Sequence, residues 1–94
     1  MQWFTYILLC SDNSFYVGHT ENLMKRIEVH NAGQGAIYTK NRRPLALVYS
    51  VTHSSKAESI TREQQIKRWS KAKKQALTDG QLEALHTLAR RRDT

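Results

Sequence analysis

The run Trp3 to Cys10 (WFTYILLC) constrains the fold more than any other stretch, because it is apolar, rich in aromatic and branched residues, and uninterrupted. Such a run reads as a buried strand. Ser11-Asp12-Asn13-Ser14 follows with turn chemistry, and Phe15-Tyr16-Val17-Gly18 supplies a short second strand, so the chain is expected to open as a hairpin. Thr20 is placed to cap a helix from about Glu21 to Ala32, with Leu23, Ile27 and Asn31 on one side and Gly33 and Gly35 ending it. The stretch QGAIYTKNRR reads as a loop that leads past Pro44 into a third strand, Leu45 to Thr52. There Leu45, Leu47, Tyr49 and Val51 alternate with Ala46, Val48 and Ser50. Ser54 or Ser55 begins a second long helix. Ser70 caps a short basic helix, Lys71 to Leu77. A final helix over about 79–90 starts at Thr78-Asp79-Gly80-Gln81 and carries Leu82, Leu85, Leu88 and Ala89 on one face, before a frayed basic end. The order is ββαβα plus C-terminal helices. It defines a single α+β domain, residues 1–94, with a three-stranded, mainly antiparallel sheet flanked by helices.

Ninety-four residues support one modest core. No stretch approaches the roughly 20 apolar residues that span a bilayer, and the N-terminal apolar run lacks a basic leader, so no membrane association or signal peptide is expected. A lone Cys10 forms no internal disulfide, which fits a reduced, cytoplasmic protein. Fifteen Lys and Arg against eight Asp and Glu give +7. The excess gathers in two knots, Lys40, Arg42 and Arg43, and Lys67, Arg68, Lys71, Lys73 and Lys74 around Trp69. Such patches suit a polyanion, with solubility as the plainer explanation. Charge alone names no reaction.

Within KAESITREQQIKRW, from Lys56 to Trp69, one acid stands out. At about 100° per residue, Ile60 and Ile66 flank Glu63 at roughly 60° on either side, so its carboxylate is directed into an apolar face. A buried carboxylate needs a pairing cation, hydrogen bonds or a metal ion. Lys67, at i+4, is one candidate partner, as a helix-surface ion pair. Tyr6 and Tyr16 stand ten residues apart on the two arms of the hairpin, Gly18 ends the second arm, and Arg26 and His30 share one side of the first helix at i, i+4. Taken singly these are packing tyrosines, a turn glycine and a solvated helix face. No cysteine–histidine metal spacing and no glycine-rich phosphate loop occurs.

Taken in order, they resemble the motifs of the GIY-YIG nuclease superfamily. In TYILLCSDNSFYVG, Thr5-Tyr6-Ile7 stands at the first triplet and Tyr16-Val17-Gly18 at the second. Arg26 follows eight residues beyond Gly18, His30 comes one turn later, and Glu63 lies in an ExxxK pattern after strand three. The stretches GQGAIYTKNRRPLALVY and SITREQQIKRWSKAKKQAL are similar to those of small, stand-alone bacterial members, and the resemblance spans roughly residues 3–77. The sequence departs from the pattern at Phe4 and Thr5, at His19 after the glycine, and in having no Asn beyond Asn41.

The resemblance implies phosphodiester hydrolysis. One divalent cation, Mg²⁺ or Mn²⁺, would be held by Glu63 with water and phosphate oxygens completing its shell. Arg26 would clamp the scissile phosphate, Tyr6 or Tyr16 would orient or deprotonate the attacking water, and His30 would share that role or hold a tyrosine. Lys40, Arg42, Arg43 and Lys67 would touch flanking phosphates, beside the patch of Arg68, Lys71, Lys73 and Lys74. About one tyrosine in a thousand is ionised at pH 7, so a tyrosine base costs about 4 kcal/mol unless neighbouring cations lower its pKa. The leading expectation is a monomeric, metal-dependent DNA endonuclease of low sequence specificity acting in DNA repair or processing. Its substrates would be branched, nicked or single-stranded DNA, with RNA left open. The alternative is a nucleic-acid-binding module of the same fold with a weak or silent site.

Overall fold

The computed structural model describes residues 2–80. Strand β1 (Trp3–Leu9) lies at the centre of a sheet ordered β2-β1-β3, between β2 (Phe15–Thr20) and β3 (Ala46–His53), and both pairings are antiparallel. A central strand is covered on both faces. That is why Thr5, Tyr6, Ile7 and Leu8 are all almost fully buried and why this stretch reads as a continuous apolar run. The hairpin turn closes with Cys10 N donating to Ser14 O at 2.8 Å and Ser14 N donating to the Asp12 carboxylate at 3.1 Å. Asn13 adopts the left-handed conformation there, at φ 70°.

The two sheet faces carry separate cores. On one, Tyr6, Leu8, Cys10 and Leu45 pack with Tyr16 and with Leu23 and Ile27 of α1 (Leu23–Asn31). On the other, Ile7, Val17 and Ile66 gather with Phe15, Val48, Tyr49, Trp69 and Leu77, beneath α3 (Lys56–Lys67) and α4 (Lys71–Thr78). Ser55 caps α3 by accepting from Glu58 N, and Ser70 caps α4 by accepting from Lys73 N.

Three local expectations change. The cap of α1 is Asn22, whose side chain accepts from Lys25 N, while Thr20 ends β2 and its hydroxyl accepts from Asn22 N. The stretch expected as a plain loop contains a one-turn helix, α2 (Ile37–Lys40). In β3 the strict alternation fails, because the register slips between Ile7 and Leu8 and leaves Val48 as an extra residue. That bulge turns Val48 and Tyr49 to the same core and leaves Leu47 exposed. Helix α4 closes at Thr78, one residue past its expected end, with Asp79 as its cap and Gly80 at φ 74°, where the expected last helix would begin. The remainder of that expected helix, with Leu82, Leu85, Leu88, Ala89 and the basic end, lies outside the described residues.

Candidate active site

Antiparallel pairing sets Tyr6 opposite Gly18. A Cβ at Gly18 would stand 2.5 Å from Tyr6 Oη and 2.7 Å from Cζ, so only glycine leaves room for the ring. Beneath that ring, a chain of hydrogen bonds runs through three buried side chains. Tyr6 Oη lies 3.0 Å from His30 Nε2, His30 Nδ1 lies 2.9 Å from Thr39 Oγ1, and the Thr39 hydroxyl donates to Ala36 O at 3.0 Å. Because that hydroxyl proton is committed to a carbonyl, Thr39 Oγ1 must accept, so His30 carries its proton on Nδ1. Nε2 is then the acceptor and Tyr6 donates to it.

The environment agrees with this neutral tautomer. Burial, with the nearby Arg26 charge, holds the His30 pKa below its ordinary value. Burial also pushes the Tyr6 hydroxyl well above the usual phenol range; the charges of Tyr16 and Glu63 add to this and Arg26 opposes it. Gly35 serves His30 as Gly18 serves Tyr6, since any Cβ there would collide with the imidazole. Gly35 and Thr39 are the members of this network that reading the sequence missed. A threonine two residues after an exposed isoleucine gives no sign that it will fold inward.

Tyr16 is more open. It is half-buried, its ring centroid 5.1 Å from that of His30, and it stacks at 28° on Tyr38, 6.2 Å away. Arg26 is exposed on α1, one turn before His30. Glu63 approaches from the opposite sheet face, on the α3 stripe between the fully buried Ser59 and Ile66. Its charge still reaches Tyr6.

Two side chains compensate Glu63. His19 Nδ1 lies 2.8 Å from Oε1 and Lys67 Nζ lies 3.2 Å from Oε2, with only 12% of the Glu63 side chain exposed. The ion pair with Lys67 therefore exists, and His19, singled out in the sequence only as a departure, is the nearer partner. Burial of Glu63 accordingly does not by itself require a metal ion. Among the described residues, no group of three or more His, Cys, Asp and Glu converges on one point. The donor set, one carboxylate beside one imidazole, fits a divalent cation that keeps most of its shell as water and phosphate oxygen.

The basic clusters divide on folding. Arg42 is tied by its Nε to Asp12 at 2.9 Å and by Nη1 to Tyr38 O at 2.7 Å, and its guanidinium lies 3.9 Å over the Tyr38 ring. Arg43 donates to Lys40 O and Asn31 O. Both arginines thus hold the α2 loop, which gives them structural work in the positions expected to meet phosphates. Lys40 remains exposed. In the second cluster Lys67 is engaged with Glu63, and Lys73 lies 4.3 Å over Trp69. Arg68 and Lys71 are exposed, and Lys74 is half-buried.

The fold and this constellation define a class, and comparison with known proteins agrees. The family model for the GIY-YIG catalytic domain matches residues 2–76, and the chain belongs to that family. UPF0213 protein SH2523 of Staphylococcus haemolyticus is 52% identical over 71 residues, covering 76% of this chain and 87% of that protein. A UPF0213 protein of Staphylococcus aureus is 48% identical over the same shares. Among solved structures, UPF0213 protein BH0048 of Bacillus halodurans superposes with a TM-score of 0.54 at 39% identity, covering 84% of each chain. Protein EF2693 of E. faecalis gives 0.58 at 34% identity, covering 87% of this chain and 88% of that one. The α+β fold with its three-stranded antiparallel sheet accords with these neighbours. No described helix is long and apolar enough to cross a membrane.

Proposed function

We propose that this chain is a divalent-cation-dependent DNA endonuclease of low sequence specificity, working in repair or processing of branched, nicked or single-stranded DNA in the cytoplasm. The observation that carries this reading is geometric: Tyr6, Tyr16 and His30 pack together beside α1, which carries Arg26, while Glu63, with 12% of its side chain exposed, lies on α3 against the same two strands. A phosphodiester site requires a cation for the phosphate, a group to orient water and an anchor for a metal ion.

Tyr16 is the better placed tyrosine to meet the water, because Tyr6 is buried and its hydroxyl donates a hydrogen bond to His30. Tyr6 and His30 act as positioning residues that fix the wall behind Tyr16. Arg26 grips the phosphate with its planar fork. Glu63 would hold Mg²⁺ or Mn²⁺, which supplies charge neutralisation at the phosphate and at the leaving oxygen. Lys40, Arg68, Lys71 and Lys74 present charge to flanking phosphates.

The test compares wild type and Glu63→Gln on plasmid and single-stranded DNA, with Mg²⁺ and with chelator. Nicking by wild type alone, and only with the metal, is expected. Equal nicking by both proteins, or nicking that persists in chelator, would sink the proposal. One observation favours a second reading, a non-cutting binding module: Glu63 is already satisfied by His19 and Lys67. On that reading Lys71, Lys73 and Lys74 to Ala lowers the salt slope of DNA binding by up to about three, and Glu63→Gln leaves every phenotype unchanged.

A further inference from the structure

We infer that His19 is a second protein ligand of the cation site, so that the site takes a transition-metal ion such as Mn²⁺ in preference to Mg²⁺. This rests on the reading of Glu63 as the metal-holding carboxylate.

The contacts around Glu63 are asymmetric. Lys67 occupies Oε2, while Oε1 faces His19 Nδ1 at 2.8 Å with one proton between them. Two donors each about 2.1 Å from one ion, at right angles, stand about 3 Å apart. The pair is therefore spaced for a cation to replace that proton, which would leave to water, while Lys67 keeps its hold on the other oxygen. Neither side chain is sealed: 29% of His19 is exposed. The imidazole is also constrained from one side by the Trp3 ring, 6.1 Å away, which in turn carries Lys56 over its face at 5.4 Å. Such a constraint reduces the entropy lost when the ring is fixed by a ligand.

The chemistry then selects the ion. Mg²⁺ favours oxygen donors and gives up water reluctantly. Imidazole nitrogen suits transition ions better. A site of Glu63 alone would not make that distinction strongly; a site of Glu63 with His19 does. Among the described residues neither other histidine is free to substitute: His30 is consumed by Tyr6 and Thr39, and His53 lies 2.9 Å from Thr5 Oγ1 on the other side of the sheet centre from β2.

The full chain, free of nucleic acid, is titrated with Mn²⁺ and separately with Mg²⁺, and the bound Mn²⁺ is examined by pulsed electron paramagnetic resonance. Wild type should show nitrogen coupling from a directly bound imidazole, which shifts on ¹⁵N-histidine labelling, persists in His30→Gln and vanishes in His19→Ala. Mn²⁺ affinity should fall about tenfold in His19→Ala and His19→Asn, and Mg²⁺ affinity by less than about twofold. Mn²⁺ bound without imidazole coupling, no Mn²⁺ binding by wild type, or an unchanged Mn²⁺ affinity in the variants overturns the inference. Glu63→Gln separates the two claims. If it leaves Mn²⁺ binding intact, the reading of Glu63 fails. If it abolishes binding while His19→Ala does not weaken it, only the role of His19 fails.

Discussion

The two faces of the sheet handle polar groups in opposite ways. On the α1 face, Tyr6, His30 and Thr39 form a neutral, closed chain in which each buried donor meets an acceptor and the last proton ends on a backbone carbonyl. On the α3 face, His19, Glu63 and Lys67 form an ionic group that is partly open to water. A closed neutral chain has no free valence for a substrate. Its contribution is shape, and breaking it leaves an unsatisfied buried group. An ionic group at a sheet edge can exchange one cation for another, which is what a metal- or phosphate-binding carboxylate must do. One face thus sets the geometry and the other supplies the exchangeable charge.

The division is broken most sharply by Glu63→Gln. We expect DNA nicking to fall at least about 100-fold, roughly 2.7 kcal/mol in barrier, with only a small change in melting temperature. A large drop in stability with activity intact would reverse the assignment of the two faces. Gly18→Ala should act on the other side, forcing the Tyr6 ring out of place and destabilising by about 1–3 kcal/mol in denaturant unfolding. Thr39→Val keeps the volume but removes the acceptor of His30 Nδ1–H. A loss of about 1–2 kcal/mol is expected, with Thr39→Ser recovering most of it and the histidine ¹⁵N shifts reporting the changed tautomer.

The smallest effect is in pH. His30 binds a proton less readily folded than unfolded, so the unfolded chain holds more protons below its ordinary pKa of about 6.5. The stability from keeping His30 neutral is complete above that pH and is lost as pH falls below it, at no more than about 1.4 kcal/mol per unit. Melting curves from pH 7.5 to 5.5 should show that slope, and His30→Gln should flatten it. An equal slope in both proteins would remove His30 from the account.

Much of the site was legible because its members obey short-range rules. The strand run, the turn residues and the i, i+4 helix spacing place Tyr6, Tyr16, Gly18, Arg26, His30 and Glu63 on their elements without reference to one another. The β3 bulge was not legible, since one extra residue depends on the partner strand's register and leaves the apolar pattern of Leu45 to Val51 looking regular. The α2 turn was hidden for a similar reason: four residues carry too little periodicity to signal a helix, and this one is held by Arg42, Arg43 and the inward Thr39.

The sequence by itself determined that this is a small α+β domain with a buried first strand, a basic surface and one acid that needs a partner. It could not say which partner. That choice fell to the antiparallel register, which sets His19 opposite Thr5 on the α3 face and leaves Gly18 under Tyr6 on the other. Successive side chains on a strand point to opposite faces, so a single position along β2 decides between the closed network and the open ionic one. Through that one-residue step the tertiary structure gave Glu63 an imidazole as well as a lysine.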